Sequence, residues 1–359
     1  MKKVAVIGIV GIPAKYGGFE TLVDNIIGYN SGDIEYTVYC STKNYPVGER
    51  LNTHKGAKLE YIGLKANGVQ SIFYDITSIC KSIRRFDVLL VLGVSGCIIL
   101  PFLRLFSNKR IIINIDGLEH KRDKWGKQVR RFLKFSEKQA VLHADIIISD
   151  NKAIQNYVKE EYGRPSELIA YGGDHVLGEY ELDSNEVLQQ YRLEKNEYSL
   201  ALCRVEPENN VRMILDAFVD SKQKIVFVGN WNRSEYGRKL REKYSVYPNM
   251  YLLDSIYDLK TLGVLRSCCK YYIHGHSAGG TNPSLVEAMF FVKPVFCYDV
   301  IYNRETTQNK GLYFSSAKQL QQQLNEPAAI YLPYGKRMQE IARKCYCWSK
   351  IAQQYESLF

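Results

Sequence analysis

Short apolar runs separated by amphipathic stretches organise this chain from end to end. In the first half the runs cover residues 3–9, 34–40, 58–63, 87–92, 110–115, 144–149 and 167–171. The second half repeats them at 198–204, 224–229, 250–254, 270–274, 294–298 and 311–314. Continuous apolar runs of this length predict parallel strands buried on both faces, with helices between them. The regular alternation predicts an α/β chain. A polar stretch, 172–197, divides the two series and reads as a linker with the lead-in to a second domain. Two Rossmann-like domains in tandem are expected, at 1–175 and 176–335. A last helix over 336–358 is expected to carry the segment 336–359 back to the first domain.

The longest apolar segment, 86–106, has the length of a membrane span but contains Asp87, Gly93, Gly96, Pro101 and Arg104. It reads as a buried strand followed by a helix over 98–106, and a transmembrane helix is rejected.

Parallel sheets bind ligands beyond the carboxyl ends of their strands. That rule singles out the loop Gly8 to Glu20, Asp116 to Glu119, Asp150-Asn151 and Gly172 to Asp174 in the first half. In the second half it singles out Arg204 to Asn210, Gly229-Asn230 and the stretch from His274. Both sets of polar, glycine-rich turns are expected to face a shared cleft.

The stretch His274-Gly-His-Ser-Ala-Gly-Gly-Thr-Asn-Pro-Ser-Leu-Val-Glu-Ala-Met289 is the most informative. Gly279 and Gly280 make a turn without side chains, Asn282 suits a helix cap, and Pro283 suits the first helical position. Strand, glycine turn and helix start then bring backbone N–H groups to one point, an arrangement suited to phosphate. A well-capped α/β crossover is the plain alternative. Arg204 at a strand end is a candidate clamp for phosphate oxygens, or else a surface arginine paired with Glu206. His276, beside Gly279, is a candidate donor to phosphate, and His274 reads as a core or loop histidine. The first glycine loop lacks the dinucleotide spacing and the Walker lysine, which disfavours a dehydrogenase. No Asp-x-Asp pair occurs, so a diphosphate held through a divalent metal is not expected.

Composition narrows the class: 46% hydrophobic and 24% charged residues describe a globular protein. The nine cysteines form no regular framework and no secretory leader precedes the first strand, so free thiols in a reducing cytosol are expected. The net charge of +10 calls for an anionic partner. Residues 121–138 hold eight basic and two acidic residues, interleaved with Trp125, Val129, Phe132 and Phe135 as in an amphipathic helix. Packing of that apolar face on a core is the plain reading, and attachment to an anionic membrane surface is the functional one. Nucleic acid is not expected, because no reader motif accompanies the charge.

Five motifs carry a family resemblance: Gly11-Ile-Pro-Ala-Lys-Tyr-Gly-Gly-Phe-Glu-Thr21, Asn114-Ile-Asp-Gly-Leu-Glu119, Ser149-Asp-Asn151, Arg204-Val-Glu-Pro-Glu-Asn-Asn210 and the stretch from His274 to Met289. In this order they resemble the bacterial rhamnosyltransferase branch of glycosyltransferase family 4, with its DUF1972-type N-terminal domain. The resemblance implies a GT-B fold and retaining transfer of a sugar, L-rhamnose from dTDP-β-L-rhamnose first among donors. The acceptor implied is a polyprenyl-diphosphate-linked sugar at the inner face of the membrane, in cell-surface polysaccharide synthesis. Such an enzyme would be cytoplasmic and peripherally attached.

By the family pattern Glu287 holds the ribose, Arg204 meets the diphosphate, and Gly17 and Gly18 belong to the loop that closes over it. Two positions depart from the pattern: the glutamate that usually touches the donor hexose is Gly279, and the lysine five residues after the arginine is Asn209. His120 stands where relatives tend to carry tryptophan. Arg204, His276 and the N–H groups of Gly279, Gly280, Thr281 and Asn282 would stabilise the leaving diphosphate. Asp116, Asp150 and Tyr171 would orient the acceptor hydroxyl or steady the cationic sugar. Glu119, Lys121 and Arg122 fall on the acceptor side. No metal or other cofactor is expected. A UDP-sugar donor, a sugar-nucleotide epimerase and a binding module without turnover are the competing readings.

Overall fold

The computed structural model describes the chain except residues 16, 123–124 and 179–183. It divides into two compact units, Met1–Tyr171 with Trp348–Phe359, and Gly172–Cys347.

The first unit holds eight strands: β1 (Lys2–Ile7), β2 (Ile34–Ser41), β3 (Thr53–His54), β4 (Ala57–Ile62), β5 (Val88–Leu92), β6 (Arg110–Asn114), β7 (Ile146–Ser149) and β8 (Glu167–Leu168). Their order in the sheet is β3-β4-β2-β1-β5-β6-β7-β8, and every pair is parallel except β3–β4. The seven strands expected from the apolar runs are all present. The two-residue β3 is additional; it is an exposed antiparallel edge without an apolar run to signal it. The sheet winds outward from β1 through β2 to β4, then restarts at β5 on the other side of β1. That reversal puts the loop after β1 at a topological switch point, where α/β sheets take ligands.

The second unit has six parallel strands: β9 (Tyr198–Leu202), β10 (Lys224–Val228), β11 (Met250–Leu253), β12 (Tyr271–His274), β13 (Val295–Tyr298) and β14 (Leu312–Phe314). They lie in the order β11-β10-β9-β12-β13-β14. Here the switch point falls between β9 and β12, which pair through Tyr271 with Ser199 and Tyr272 with Leu200. Both sheets carry buried aliphatic and aromatic side chains on their faces, with Val4, Leu90 and Ile112 at the centre of one core and Ile225, Phe227 and Ile273 in the other.

Three expectations need correction. The single helix over 336–358 is two helices, Leu332–Cys345 and Trp348–Leu358, interrupted at Tyr346-Cys347. Only the second belongs to the first unit. There Trp348, Ile351, Ala352 and Tyr355 enter the core, and Lys2 Nζ donates to the carbonyl of Phe359 at 2.6 Å. The stretch 172–197 is more than a linker where it is described. Its helix Ser184–Gln190 buries Val187 and Leu188 and packs on the helix Leu259–Cys268; residues 179–183 lie outside the described part.

The third correction concerns the basic segment. Its helix spans Lys127–His143, and the buried face is Leu133, Ser136, Glu137, Ala140 and Val141. Val129 and Phe135 are exposed. The polar members of the buried face are satisfied instead of excluded: Ser136 donates to Val94 O, and Glu137 accepts from Tyr157 and Tyr162 at 2.6 Å each. Asp123 and Lys124 of that segment lie outside the described residues. No helix among the described residues is long and apolar enough to cross a membrane.

Candidate active site

In the second unit, two motifs about 65 residues apart meet at the switch point. After β9 the chain passes Arg204 and makes a 3-10 turn, Pro207–Asn209. After β12 it runs through Gly275 to the helix Pro283–Met289. The side chain of Asn209 donates through Nδ2 to Arg204 O at 2.7 Å, which turns its oxygen toward His276. His276 Nδ1 lies 2.6 Å from that oxygen. Glu208 O accepts from the backbone and hydroxyl of Ser277, at 2.9 and 2.8 Å. Asn210 Nδ2 donates to Gly275 O at 2.9 Å. The next strand contributes too, since Asn230 Oδ1 accepts from Val205 N at 2.7 Å.

Arg204, Asn209 and His276 are therefore one hydrogen-bonded series. Because an amide oxygen only accepts, Nδ1 of His276 must carry the proton. Nε2 of the neutral ring then has none, so His276 donates to a phosphate oxygen only as the imidazolium. The Arg204 guanidinium makes no ion pair among the described residues, and the pairing with Glu206 is not formed. His274, by contrast, is a core histidine: it is 2% exposed and burial holds its pKa down to about 3, so the ring is neutral.

The helix start works differently from the expectation of amides turned toward an anion. Asn282 caps it, accepting from Ser284 N at 3.0 Å and from Ser284 Oγ at 2.8 Å. Leu285 N and Val286 N both reach Asn282 O. Pro283 has no N–H. Amides for an anion must then come from the turn before the helix, where Gly279, Gly280 and Thr281 are buried. Gly279 has φ +105°. A side chain there is strained, which accounts physically for glycine at the position where the family pattern has glutamate.

Glu287, one turn into the helix, pairs with Arg266. His175 Nε2 lies 3.7 Å from its other oxygen. Arg266 is only 2% exposed, and Glu287 is the one hydrogen-bond partner of its guanidinium among the described residues. Sequence reasoning passed over Arg266, because a single arginine in the apolar helix Leu259–Cys268 gives no signal without its partner.

The first unit gathers a second set. Asp116 has φ +62°, rare for a residue with a side chain, and its N–H donates to Asn114 Oδ1 at 3.0 Å. Asn114 Nδ2 in turn donates to Tyr355 OH at 2.8 Å. Asp150 is 2% exposed. Tyr171 is buried, and burial pushes its pKa well up, with the charges of Asp116 and Asp150 adding to the shift. Both aspartates thus lie within electrostatic reach of Tyr171. Glu20 joins them: its Oε1 accepts from Val10 N at 2.8 Å, and burial raises its pKa. Gly17 has φ +129°, where a side chain is strained, and a Cβ there would displace the Glu20 carboxylate from its place. Gly18 opens the helix Gly18–Gly28 that carries Glu20. Tyr16, in the same loop, lies outside the described residues.

The residues expected on the acceptor side form a turn, Glu119–Lys121. Glu119 pairs with Arg122 at 2.9 Å and accepts from Trp125 Nε1 at 2.9 Å. Lys121 lies over the ring of Tyr157 at 5.0 Å. His120 Nδ1 meets the buried carboxylate of Glu137 at 2.9 Å, which anchors the turn to the helix below.

Whole-chain similarity decides the architecture. Sucrose-phosphate synthase from Thermosynechococcus elongatus superposes with a TM-score of 0.82 at 15% identity, covering 100% of this chain and 98% of that one. The fold is GT-B. HepE of Anabaena in complex with UDP-glucose gives a TM-score of 0.77 at 14% identity, covering 100% and 99%. The catalytic domain of starch synthase IV from Arabidopsis thaliana, bound to ADP and acarbose, gives 0.71 at 12%, covering 99% and 98%. Residues 1–174 match a family described as a domain of unknown function, DUF1972. Comparison with curated proteins finds no match.

Proposed function

We propose that this protein is a retaining glycosyltransferase that moves a sugar from a nucleotide donor to a lipid-linked acceptor. The observation that carries this reading is the union of Arg204, Asn209 and His276 with the turn at Gly279–Thr281 at the switch point of the second sheet. The series fixes the backbone at Arg204 and the ring of His276 beside these buried amides; the Arg204 guanidinium and an imidazolium at His276 would then meet the negative charge that develops on a departing diphosphate. Glu287, held by Arg266, offers carboxylate oxygens to sugar hydroxyls of the nucleotide. With attack on the same face as departure, the leaving phosphate itself accepts the acceptor's proton. No carboxylate base is then needed. Asp116, Asp150 and Tyr171 orient the acceptor hydroxyl or steady the cationic sugar.

The resemblance of the motifs favours dTDP-β-L-rhamnose as donor and a polyprenyl-diphosphate-linked sugar as acceptor, with the enzyme attached to the inner face of the membrane through its basic segment. A UDP-sugar donor is the second reading, favoured by HepE, whose structure of the same fold holds UDP-glucose. The test is incubation with dTDP-rhamnose and a panel of UDP-sugars, with and without a short lipid-diphosphate glycan, followed by mass analysis. Acceptor gaining one sugar mass, with free nucleoside diphosphate released, is expected. Donor conversion without acceptor would show an epimerase, and binding without product would show a binding module.

A further inference from the structure

The helix Lys127–His143 turns toward solvent a face that alternates charge with apolar bulk. Arg131, Phe135, Lys138 and Leu142 follow at spacings of four, three and four residues, so they share one side. Phe135 is 53% exposed and Leu142 43%. Arg130, Arg131, Lys134, Phe135 and Lys138 line an open cavity of about 470 Å³ together with Glu161 and Tyr162. The short helix Leu100–Arg104 packs on this basic helix. Arg104 ties the two, donating from Nε and Nη2 to His143 O at 2.8 and 2.7 Å and from Nη2 to Asp145 at 2.7 Å.

Next to that tie, three large apolar side chains stand in water. Phe102 is 59% exposed, Leu105 75% and Phe106 72%. The two phenyl rings meet edge to face, centroids 5.1 Å apart. Leu105 N and Phe106 N already bond to Phe102 O and Leu103 O, at 3.2 and 3.0 Å. The tip can leave water without stranding those two donors.

We propose that Phe102, Leu105 and Phe106 insert into the interface of an anionic bilayer while Arg131 and Lys138 remain among its head groups. This deepens the membrane attachment stated above and rests on it, and it moves the inserted element from the basic helix to the tip beside it. Two considerations select a bilayer over a protein partner. Three side chains fall far short of the roughly 1,200 Å² that a stable protein interface buries. A bilayer needs only a few apolar side chains beside a positive surface, and the helix on which the tip packs supplies Arg130, Arg131, Lys134 and Lys138.

The test uses the full chain with phosphatidylcholine vesicles, with and without phosphatidylglycerol. Wild type is expected to sediment with the anionic vesicles. The triple variant Phe102→Ser, Leu105→Ser, Phe106→Ser should partition about 10-fold less or lower, with an unchanged melting temperature because all three positions are exposed. Leu105→Trp should add fluorescence that acyl-chain-brominated lipids quench beyond the wild-type signal. A triple variant that binds as well as wild type, or no added quenching, overturns the proposal. If wild type self-associates and the triple variant does not, while vesicle binding is unchanged, the occupant is a second copy and the proposal also fails. Absence of any wild-type binding removes the membrane attachment itself. Binding lost in Arg130→Glu with Arg131→Glu but kept in the triple variant leaves the attachment standing and removes only the tip.

Discussion

The ring of His276 donates through Nδ1 to the side-chain oxygen of Asn209 at 2.6 Å. Asn209 can accept because its own amide nitrogen is engaged by Arg204 O at 2.7 Å. One asparagine thus sets the tautomer of the histidine and the path of the chain at the arginine. At the position where the family pattern has lysine, a neutral side chain serves as a bridge instead of a charge. Asn209→Ala should therefore lower kcat by about 10-fold or more, as a misplaced hydrogen-bond donor does in a preorganised site. Adding His276→Ala to that variant should cost little further, since both substitutions disable one ring. Independent, multiplicative losses in steady-state kinetics would show that the two residues act separately.

Arg204 should matter for turnover and little for stability. Its guanidinium has no ion pair to lose among the described residues, while a developing diphosphate charge would lose a cationic partner. Arg204→Ala is expected to cut kcat by about 10²-fold or more with saturating donor, and to leave the urea midpoint near that of wild type. Near-normal kcat would remove Arg204 from the site.

Arg266 should behave in the opposite way. A guanidinium 2% exposed holds Glu287, whose side chain is 15% exposed. Arg266→Met leaves that carboxylate without its main partner, at a cost of about 3–5 kcal/mol. Urea unfolding of the single variant and of its combination with Glu287→Gln measures this. Restoration of much of the loss in the double variant is expected, because the uncompensated charge is then gone.

His274 predicts a pH effect. Its folded pKa, about 3, lies below the ordinary histidine value near 6.5. Between those values the unfolded chain binds a proton that the folded chain refuses, so stability falls as pH drops below about 6.5. His274→Gln should reduce the loss of unfolding free energy between about pH 6.5 and 4.5 by about 2–3 kcal/mol relative to wild type. Parallel stability–pH curves for the two proteins would contradict the assignment.

Metal independence is a further expectation. A cationic arginine and turn amides can carry the diphosphate charge without a divalent ion, so transfer should persist in EDTA. Complete loss on chelation, restored by Mg²⁺ or Mn²⁺, would show that a metal holds the donor.

Much of the architecture was legible along the chain. Among the described residues, 13 of the 14 strands overlap the apolar runs, and all of these but the exposed two-residue β8 bury side chains. The exception, β3, is a two-residue antiparallel edge that lies in no apolar run. Turns rich in glycine and asparagine at strand ends marked the candidate site, because a parallel sheet leaves its ligands the loops beyond its strand ends. Asp116, Asp150 and Tyr171 were singled out as candidates by the same rule.

What tertiary structure alone decided is partnership. The basic segment carries apolar residues on more than one side, and periodicity did not reveal that Leu133 and Ala140 would pack while Phe135 stayed in water. Glu137 counts in sequence as one acid in a basic run, yet in the fold it is the buried acceptor for His120, Tyr157 and Tyr162. Arg266 and Glu287 are 21 residues apart on separate helices. Asn209 and His276 are 67 apart and meet because β9 and β12 are neighbours in the sheet. Local pattern determines which segments become strands and helices, because burial acts on each segment's own periodicity. Which polar groups then face each other depends on strand order, and strand order is a property of the whole packed sheet.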